Sequence, residues 1–389
     1  MHDSPLIFSI FLIFTGAAIL STLALYFRQS MLVAYMLLGI VLGPWGLKLV
    51  AQATTISTIG DVGIIFLLFL LGLHLPPQNL IHMLKKISVV GVVSSLIFMA
   101  IGYVIGILFG LSSSGALVLG ASMMFSSTII GIKLLPTTIL HHQHTGEVMI
   151  SVLLFQDIIA IFTLLLLFSG AHHGQVFRSL ALVLAGFPVV CLVAYLVQRF
   201  VIIKLLLKFD RVREYMFMMA IAWCLTLSQL ASLVHLSAEI GAFIAGVTLA
   251  SSPVSLYIAE SLKPIRDFFL VMFFFSVGAS FNLNYLPQVW LPALCLALSL
   301  LVVKPWVFRW LLAYVGENKL VAWEVGVRLA QVSEFSLIIA YIAQSIHLID
   351  PRVSYLIQAT TMLTFVVSSY WVVIRYPTPL AFSAKMRQD

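Results

Sequence analysis

The sequence is short of charge. Asp, Glu, Lys and Arg make up 9% of its 389 residues, against 62% apolar types, too few to clothe a water-soluble surface. A soluble globular domain is excluded. Cysteine is equally scarce. Cys191, Cys224 and Cys295 stand singly inside apolar stretches, so no disulfide framework or thiolate cluster follows from them. Long polar linkers and low-complexity segments are missing, and the richest polar stretches are 137–146 and 208–214. Neither HExxH nor GxSxG occurs, which leaves intramembrane hydrolysis without support. The opening MHDSPLIF lacks the basic region of a cleaved signal peptide, so the first apolar segment is expected to be retained. With a short tail ending at Asp389, no soluble regulatory domain is expected within this chain.

What is present is a succession of apolar runs of membrane-crossing length. Hydropathy predicts about thirteen transmembrane helices: 5–26, 30–50, 56–75, 88–110, 114–136, 147–170, 179–208, 215–233, 237–252, 264–281, 287–312, 320–346 and 353–375. Helices rather than strands are expected, because a helix satisfies its own backbone in lipid.

The net charge of +7 could suggest nucleic acid, but its distribution explains it better. Most of the 21 Lys and Arg fall in loops following odd-numbered helices and in the C-terminal tail. The other side holds only Lys48, Arg178 and Arg352, while Lys304 and Arg328 remain within spans. By the positive-inside rule the N-terminus faces out and the C-terminus faces the cytoplasm.

Within the sixth span, SVLLFQDIIAIFTLLLLF, one acid interrupts the apolar run. Asp157 lies ten residues beyond Glu147, roughly 15 Å along a helix that rises about 1.5 Å per residue. That is half of a hydrocarbon core about 30 Å thick, so the carboxyl sits near the midplane. An ionisable group there is a functional candidate by default, the bland reading being an acid paired only to hold helices together. Lys304, some seventeen residues into the eleventh span, reaches similar depth and is the expected partner, although Pro305 bends the local path. Burial and neighbouring charge would together tune the proton affinity of such an acid.

Two further spans read as broken helices. The fifth carries Ser126, Ser127 and Thr128 about two-thirds of the way across. The twelfth carries Gln331, Ser333, Glu334 and Ser336 at comparable depth. Half-helix ends at the midplane form ion sites in secondary transporters, whereas isolated hydroxyls more often bond their own helix carbonyls. Two such spans seven helices apart are more informative, since an odd offset reverses orientation. Helices four to six and eleven to thirteen are therefore expected to be inverted repeats.

These residues resemble a known family. YMLLGIVLGPWGL (35–47), DVGIIFLLFLLGLHL (61–75), SSTIIGIKLL (126–135), LLFQDIIAI (153–161), IGAFIAGVTLASS (240–252), FFFSVGASFNL (273–283), VVK (302–304) and QVSEFS (331–336), in this order, resemble the membrane domain of Kef-type potassium:proton antiporters, in the second monovalent cation:proton antiporter family. The resemblance covers almost the whole chain. It implies an all-α integral membrane fold of about thirteen helices, with inverted repeats of the sodium:proton-antiporter kind and crossed, discontinuous helices five and twelve. It further implies a dimerisation domain (1–84 and 214–285), a core ion-transport domain (85–178 and 286–389) and a linker helix (179–213).

The resemblance maps the ion-binding and proton-carrying site onto Asp157, Gln156, Ser126, Ser127, Thr128, Lys304 and Glu334, with Glu239, Gln331, Ser333 and His74 as accessory candidates. Asp157 is the expected ligand of the monovalent cation. Gln156 stands where electrogenic relatives carry a second acid, which implies electroneutral exchange of one cation per proton. The implied cargo is potassium, with sodium as the alternative, and protons; no cofactor is implied. The implied partners are the lipid bilayer, a second copy in a homodimer and a cytoplasmic nucleotide-binding regulatory domain or subunit, in a bacterial inner membrane. A gated, channel-like potassium efflux path and a transporter-shaped sensor are the rival readings, and neither makes the chain an enzyme.

Two positions depart from the family pattern. His74 replaces an acid at the end of the third helix, where GLHL stands for GLEL, and a histidine can titrate near neutral pH. Glu239 occupies a position expected to be apolar and either lines an outer cavity or sits at the interface. HHQH (141–144), His172 and His173 read as solvated loops rather than metal ligands. Glu324 and Arg328 form an i,i+4 pair.

The orientation is directly measurable. A cysteine placed at Arg178 should react with a membrane-impermeant maleimide from outside intact cells. One placed at Arg211 should react only in inverted vesicles, and the opposite pattern would reverse the topology.

Overall fold

The computed structural model describes residues 5–27, 29–50, 53–73, 77–134, 144–170, 176–209, 211–234, 236 and 238–378. Sixteen α-helices account for nearly all of them. They are α1 (Pro5–Tyr26), α2 (Met31–Leu42), α3 (Ala53–Leu73), α4 (Pro77–Leu108), α5 (Ser113–Met123), α6 (Thr128–Lys133), α7 (His144–Gly170), α8 (Val176–Val197), α9 (Ile203–Lys208), α10 (Arg213–Leu233), α11 (Ala238–Ala250), α12 (Ser255–Ser280), α13 (Leu286–Tyr314), α14 (Lys319–Arg328), α15 (Glu334–Ser345) and α16 (Pro351–Arg375). Among the described residues, seven helices are long and apolar enough to cross a membrane, and three more are apolar but shorter. The chain is an integral membrane protein.

The boundaries have local causes. Ser30 caps α2 by accepting from the Leu32 backbone N–H at 3.3 Å. That helix stops at Leu42, well short of the expected residue 50, because Gly43 and Pro44 follow and proline cannot extend the hydrogen-bond ladder. Asp350 caps α16 through the Arg352 N–H at 2.7 Å, and Pro351 occupies the first turn, where its missing N–H costs nothing. The expected seventh span is not uniform: a π-turn at Gln198–Ile202 separates α8 from α9. The fourth and tenth spans begin earlier than expected, at Pro77 and Ser255.

The fifth and twelfth spans are broken, as expected. The first becomes α5 and α6 with Met124–Ser127 between them, and the second becomes α14 and α15 with Leu329–Ser333 between them. The succession long helix, broken pair, long helix thus occurs twice, as α4 to α7 and as α13 to α16.

By packing, the chain divides into two compact units. One comprises residues 1–51, 83–160 and 277–389, the other 52–82 and 161–276. This partition groups segments by proximity in one conformation, whereas the expected dimerisation and core domains are defined by motion. The two are different quantities.

The first unit holds both broken pairs. In it α13 packs along α14 and α16, and α15 runs against α5 and α16. Phe98 meets Phe308 edge-on, ring centres 5.4 Å apart.

In the second unit α3 packs along α11, which also packs along α10. Phe69, Cys224, Leu227, Ala242 and Leu249 are fully buried there, and Phe66 stacks on Phe269 at 5.3 Å. The backbones of α3 and α11 touch. A Cβ on Gly246 would stand 2.1 Å from the Phe69 carbonyl oxygen, and one on Gly72 would stand 2.4 Å from that of Phe243. Small residues permit such approach where apolar packing alone must join helices in lipid. Gly246→Val should therefore lower the melting temperature in detergent by several degrees, since overpacking costs about 1–3 kcal/mol. A melting curve unchanged by that substitution would show that the two helices can separate freely.

Candidate cation and proton site

Breaking a helix strands backbone N–H and C=O groups that had intrahelical partners. At membrane depth no bulk water replaces them, so other protein groups must. The two breaks meet this requirement with side chains. At the first, the Ser126 N–H donates to Gln156 Oε1 at 3.0 Å, and Gln156 Nε2 donates to the Met124 carbonyl at 3.2 Å. Ser127 Oγ accepts from the Ile130 N–H at 3.1 Å, capping α6. At the second, Ser333 Oγ caps α15 by accepting from the Phe335 N–H at 3.1 Å.

The breaks are also tied to each other. Ser126 Oγ donates to the Leu329 carbonyl at 2.8 Å, Gln331 Nε2 to the Ser127 carbonyl at 3.4 Å, and Ser336 Oγ to the Ser122 carbonyl. Lys304 completes the junction from α13. Its Nζ donates to the Phe125 carbonyl at 2.7 Å, the Gln331 carbonyl at 3.1 Å and Ser126 Oγ at 3.4 Å, and it lies 5.0 Å above the Phe98 ring.

The expected pairing of Lys304 with Asp157 is therefore corrected. Among the ion pairs of the described residues none joins them. The ammonium has three donors and spends them on the carbonyls and hydroxyl of the breaks. Lys304 holds the crossing together.

Asp157 is 1% exposed. Thr128, the first residue of α6, directs its hydroxyl at both carboxyl oxygens, at 3.3 and 3.4 Å. The carboxyl group of Glu334, at the start of α15, lies within electrostatic range of it. The structure thus brings Gln156, Asp157, Ser126, Ser127, Thr128, Lys304, Gln331, Ser333 and Glu334 to one junction. Glu239 lies in the first turn of α11, within the other compact unit, and its side chain is outside the described residues, as is His74. Both amide ends of Gln156 brace the first break, and its oxygen keeps a second lone pair.

Two contributors had not been singled out in the sequence. Thr364 Oγ1 on α16 accepts from the Val332 N–H at 3.1 Å, and Ser368 Oγ donates to Gln331 Oε1 at 2.9 Å. Their signal was there: TTMLTFVVSS (360–369) is dense in hydroxyls, and Thr364 and Ser368 are i,i+4 neighbours on one helix face.

Away from the junction, Arg328 bonds Glu324 at 2.9 Å as expected. It also donates to the Leu134 carbonyl at 3.0 Å and the Pro377 carbonyl at 3.0 Å, joining the ends of α6, α14 and the segment after α16. Of HHQH, residues 141–143 lie outside the described residues, as do His172 and His173. His144 does not stand alone. It contacts Glu317 at 2.6 Å and Glu147 at 3.4 Å beside a cavity of about 370 Å³. Among the described residues no group of three His, Cys, Asp or Glu side chains is placed to hold a metal ion.

A buried carboxyl beside a hydroxyl, at a crossing of two interrupted helices, can carry a proton or a hard cation that prefers oxygen ligands. Comparison with known proteins agrees. The family described as sodium/hydrogen exchanger, transmembrane, matches residues 10–374. The chain belongs to that family. It is 29% identical over 378 residues to K(+) efflux antiporter 5 of Arabidopsis thaliana, covering 94% of this chain and 65% of the relative. It is 30% identical over 351 residues to the glutathione-regulated potassium-efflux system protein KefC of Escherichia coli, covering 88% of this chain and 56% of the relative. It is also 26% identical to the iron transporter MagA of Paramagnetospirillum magneticum, covering 89% and 80%. The chain thus spans little more than half to two-thirds of the length of the potassium antiporters it matches. In fold it is similar to the sodium proton antiporter MjNhaP1 of Methanocaldococcus jannaschii, with a TM-score of 0.72 at 15% identity, covering 97% of both chains.

The assignment of Lys304 is testable against its alternative. Lys304→Met strands the Phe125 and Gln331 carbonyls and should lower the melting temperature in detergent by several degrees, each bond from a charged donor contributing about 1.5–3 kcal/mol. Asp157→Asn should leave melting unchanged. Equal losses in the two variants would instead indicate a shared ion pair.

Proposed function

We propose that the chain is the membrane domain of a monovalent cation:proton antiporter that works by alternating access at Asp157, with potassium as its cation. One observation carries this reading: a buried carboxyl, bonded by the Thr128 hydroxyl, beside a junction built from two interrupted helices. Because Lys304 is engaged by backbone carbonyls, it does not compete for the carboxyl as a fixed counter-ion. A proton and a cation then compete for the same group. Protonated Asp157 crosses in one direction and cation-bound Asp157 in the other, and Gln156, an amide where a second acid would add charge, suits one-for-one electroneutral exchange. The choice of potassium is supported by the names of the Arabidopsis and Escherichia relatives. Sodium, named for the neighbour of similar fold, is the second reading.

The same reading makes the protein a homodimer in a bacterial inner membrane, N-terminus outside and C-terminus cytoplasmic. A cytoplasmic regulatory domain or subunit acts on it, in keeping with the regulated potassium-efflux relative.

Reconstitution into proteoliposomes with an internal pH dye tests the proposal. An imposed potassium gradient should drive proton movement without a membrane potential, and Asp157→Asn should reduce it to the rate of empty vesicles. Exchange surviving in that variant would reject Asp157 as carrier. Proton-independent potassium current would reveal a channel, and coupling to ferrous iron in place of alkali cations would favour the likeness to MagA.

A further inference from the structure

The residues of the junction account for most of its backbone groups, but the side chain of Gln331 is placed from outside it. Gln331 is fully buried. Its Nε2 reaches the Ser127 carbonyl across to the first break, and its Oε1 accepts from Ser368 Oγ on α16. One α-helical turn earlier on the same face, Thr364 Oγ1 takes the N–H of the next residue, Val332, while donating to the Thr361 carbonyl. Two consecutive residues of the second break are thus held by two hydroxyls of one helix. Both hydroxyls are fully buried. Among the described residues, the Thr360 and Thr361 hydroxyls beside them bond their own helix carbonyls, as mid-helix hydroxyls commonly do.

An amide presents a donor at one end and an acceptor at the other. With its acceptor end held by the Ser368 hydroxyl, its donor end is turned to the Ser127 carbonyl. Ser127 is the last residue before α6, and the next residue, Thr128, supplies the hydroxyl bond to Asp157. We propose that Ser368 is a positioning residue for the cation site: acting through the Gln331 amide, it sets where the Ser127 carbonyl and the Thr128 hydroxyl stand relative to Asp157. This rests on the exchange reading above and deepens it. Ser368 itself touches neither the carboxyl nor the cation. Removing its hydroxyl leaves Gln331 Oε1 buried without that donor and loosens the first break, so that cation affinity weakens while the turnover of loaded protein is retained.

The test is a potassium titration of proton exchange in proteoliposomes. Ser368→Ala should raise the potassium concentration for half-maximal exchange about five- to tenfold, the effect of one lost buried hydrogen bond. The maximal rate should stay within twofold of wild type. Ser368→Thr, which keeps a hydroxyl, should restore the wild-type value. In a Gln331→Ala background, Ser368→Ala should add nothing, because coupled residues are non-additive. Should the alanine variant lose its monodisperse peak in detergent, Ser368→Cys, close in volume and a weaker donor, takes its place in the same comparison with a smaller shift expected.

An unchanged half-saturation, a loss confined to maximal rate, failure of threonine to rescue, or full additivity with Gln331→Ala would each overturn the proposal. If wild-type protein shows no cation-dependent proton exchange, the transport reading fails and this one with it. Active wild type with an unshifted Ser368→Ala sinks the positioning role alone.

Discussion

A helix interrupted inside a membrane must find hydrogen-bond partners for the groups it strands, and the centre of this protein is arranged around that need. In water the cost would be small. In a buried, lipid-surrounded interior each unpaired carbonyl or N–H costs several kcal/mol. Lys304, Gln156, Ser126, Gln331 and Thr364 are therefore committed to backbone atoms before any ion is considered. Among the described residues, no ion pair ties Asp157 to a fixed cation. In the proposed exchange, a cation arriving at the carboxyl does not have to displace Lys304 and competes with the proton.

Both compact units bring backbones together at glycines, Gly72 and Gly246 in one and Gly120 and Gly278 in the other, and they differ in what else they bury. One joins its helices through glycine-lined backbone contact and an apolar core, with Gly72 and Gly246 in reciprocal contact and Phe69 fully buried. The other buries a polar network, in which Ser127, Gln156, Lys304, Gln331, Thr364 and Ser368 are all at or near zero exposure. Close apolar packing tolerates small displacements poorly, whereas a hydrogen-bonded junction can exchange partners. The proposed site lies in the second kind of interior.

The sequence was informative where membrane physics leaves few choices. An acid in the sixth span at midplane depth and clusters of Ser, Thr and Gln in the fifth and twelfth spans predicted the breaks, and both occur where expected. It was least informative about partners. Charge arithmetic pairs Lys304 with the nearest acid, because backbone carbonyls are the same in every residue and leave no mark in the sequence. The fold instead brings two freed carbonyls within reach of Nζ. Thr364 and Ser368 went unnoticed for a related reason: a mid-helix hydroxyl that turns outward to a neighbour reads the same as one bonding its own helix. The early end of α2 and the π-turn after α8 were invisible to hydropathy, which responds to average polarity and not to hydrogen-bond register.

Gln156 is engaged at both ends of its amide. Its amide gives the Met124 carbonyl a donor and the Ser126 N–H an acceptor. A carboxylate at that position would retain the acceptor and lose the donor, and an aspartate would also be one carbon too short to reach. On the proposed exchange, moving this chain from one acid to two would alter the charge carried per cycle and would also take the donor from the Met124 carbonyl. The amide thus couples the charge of the site to the backbone of the first break.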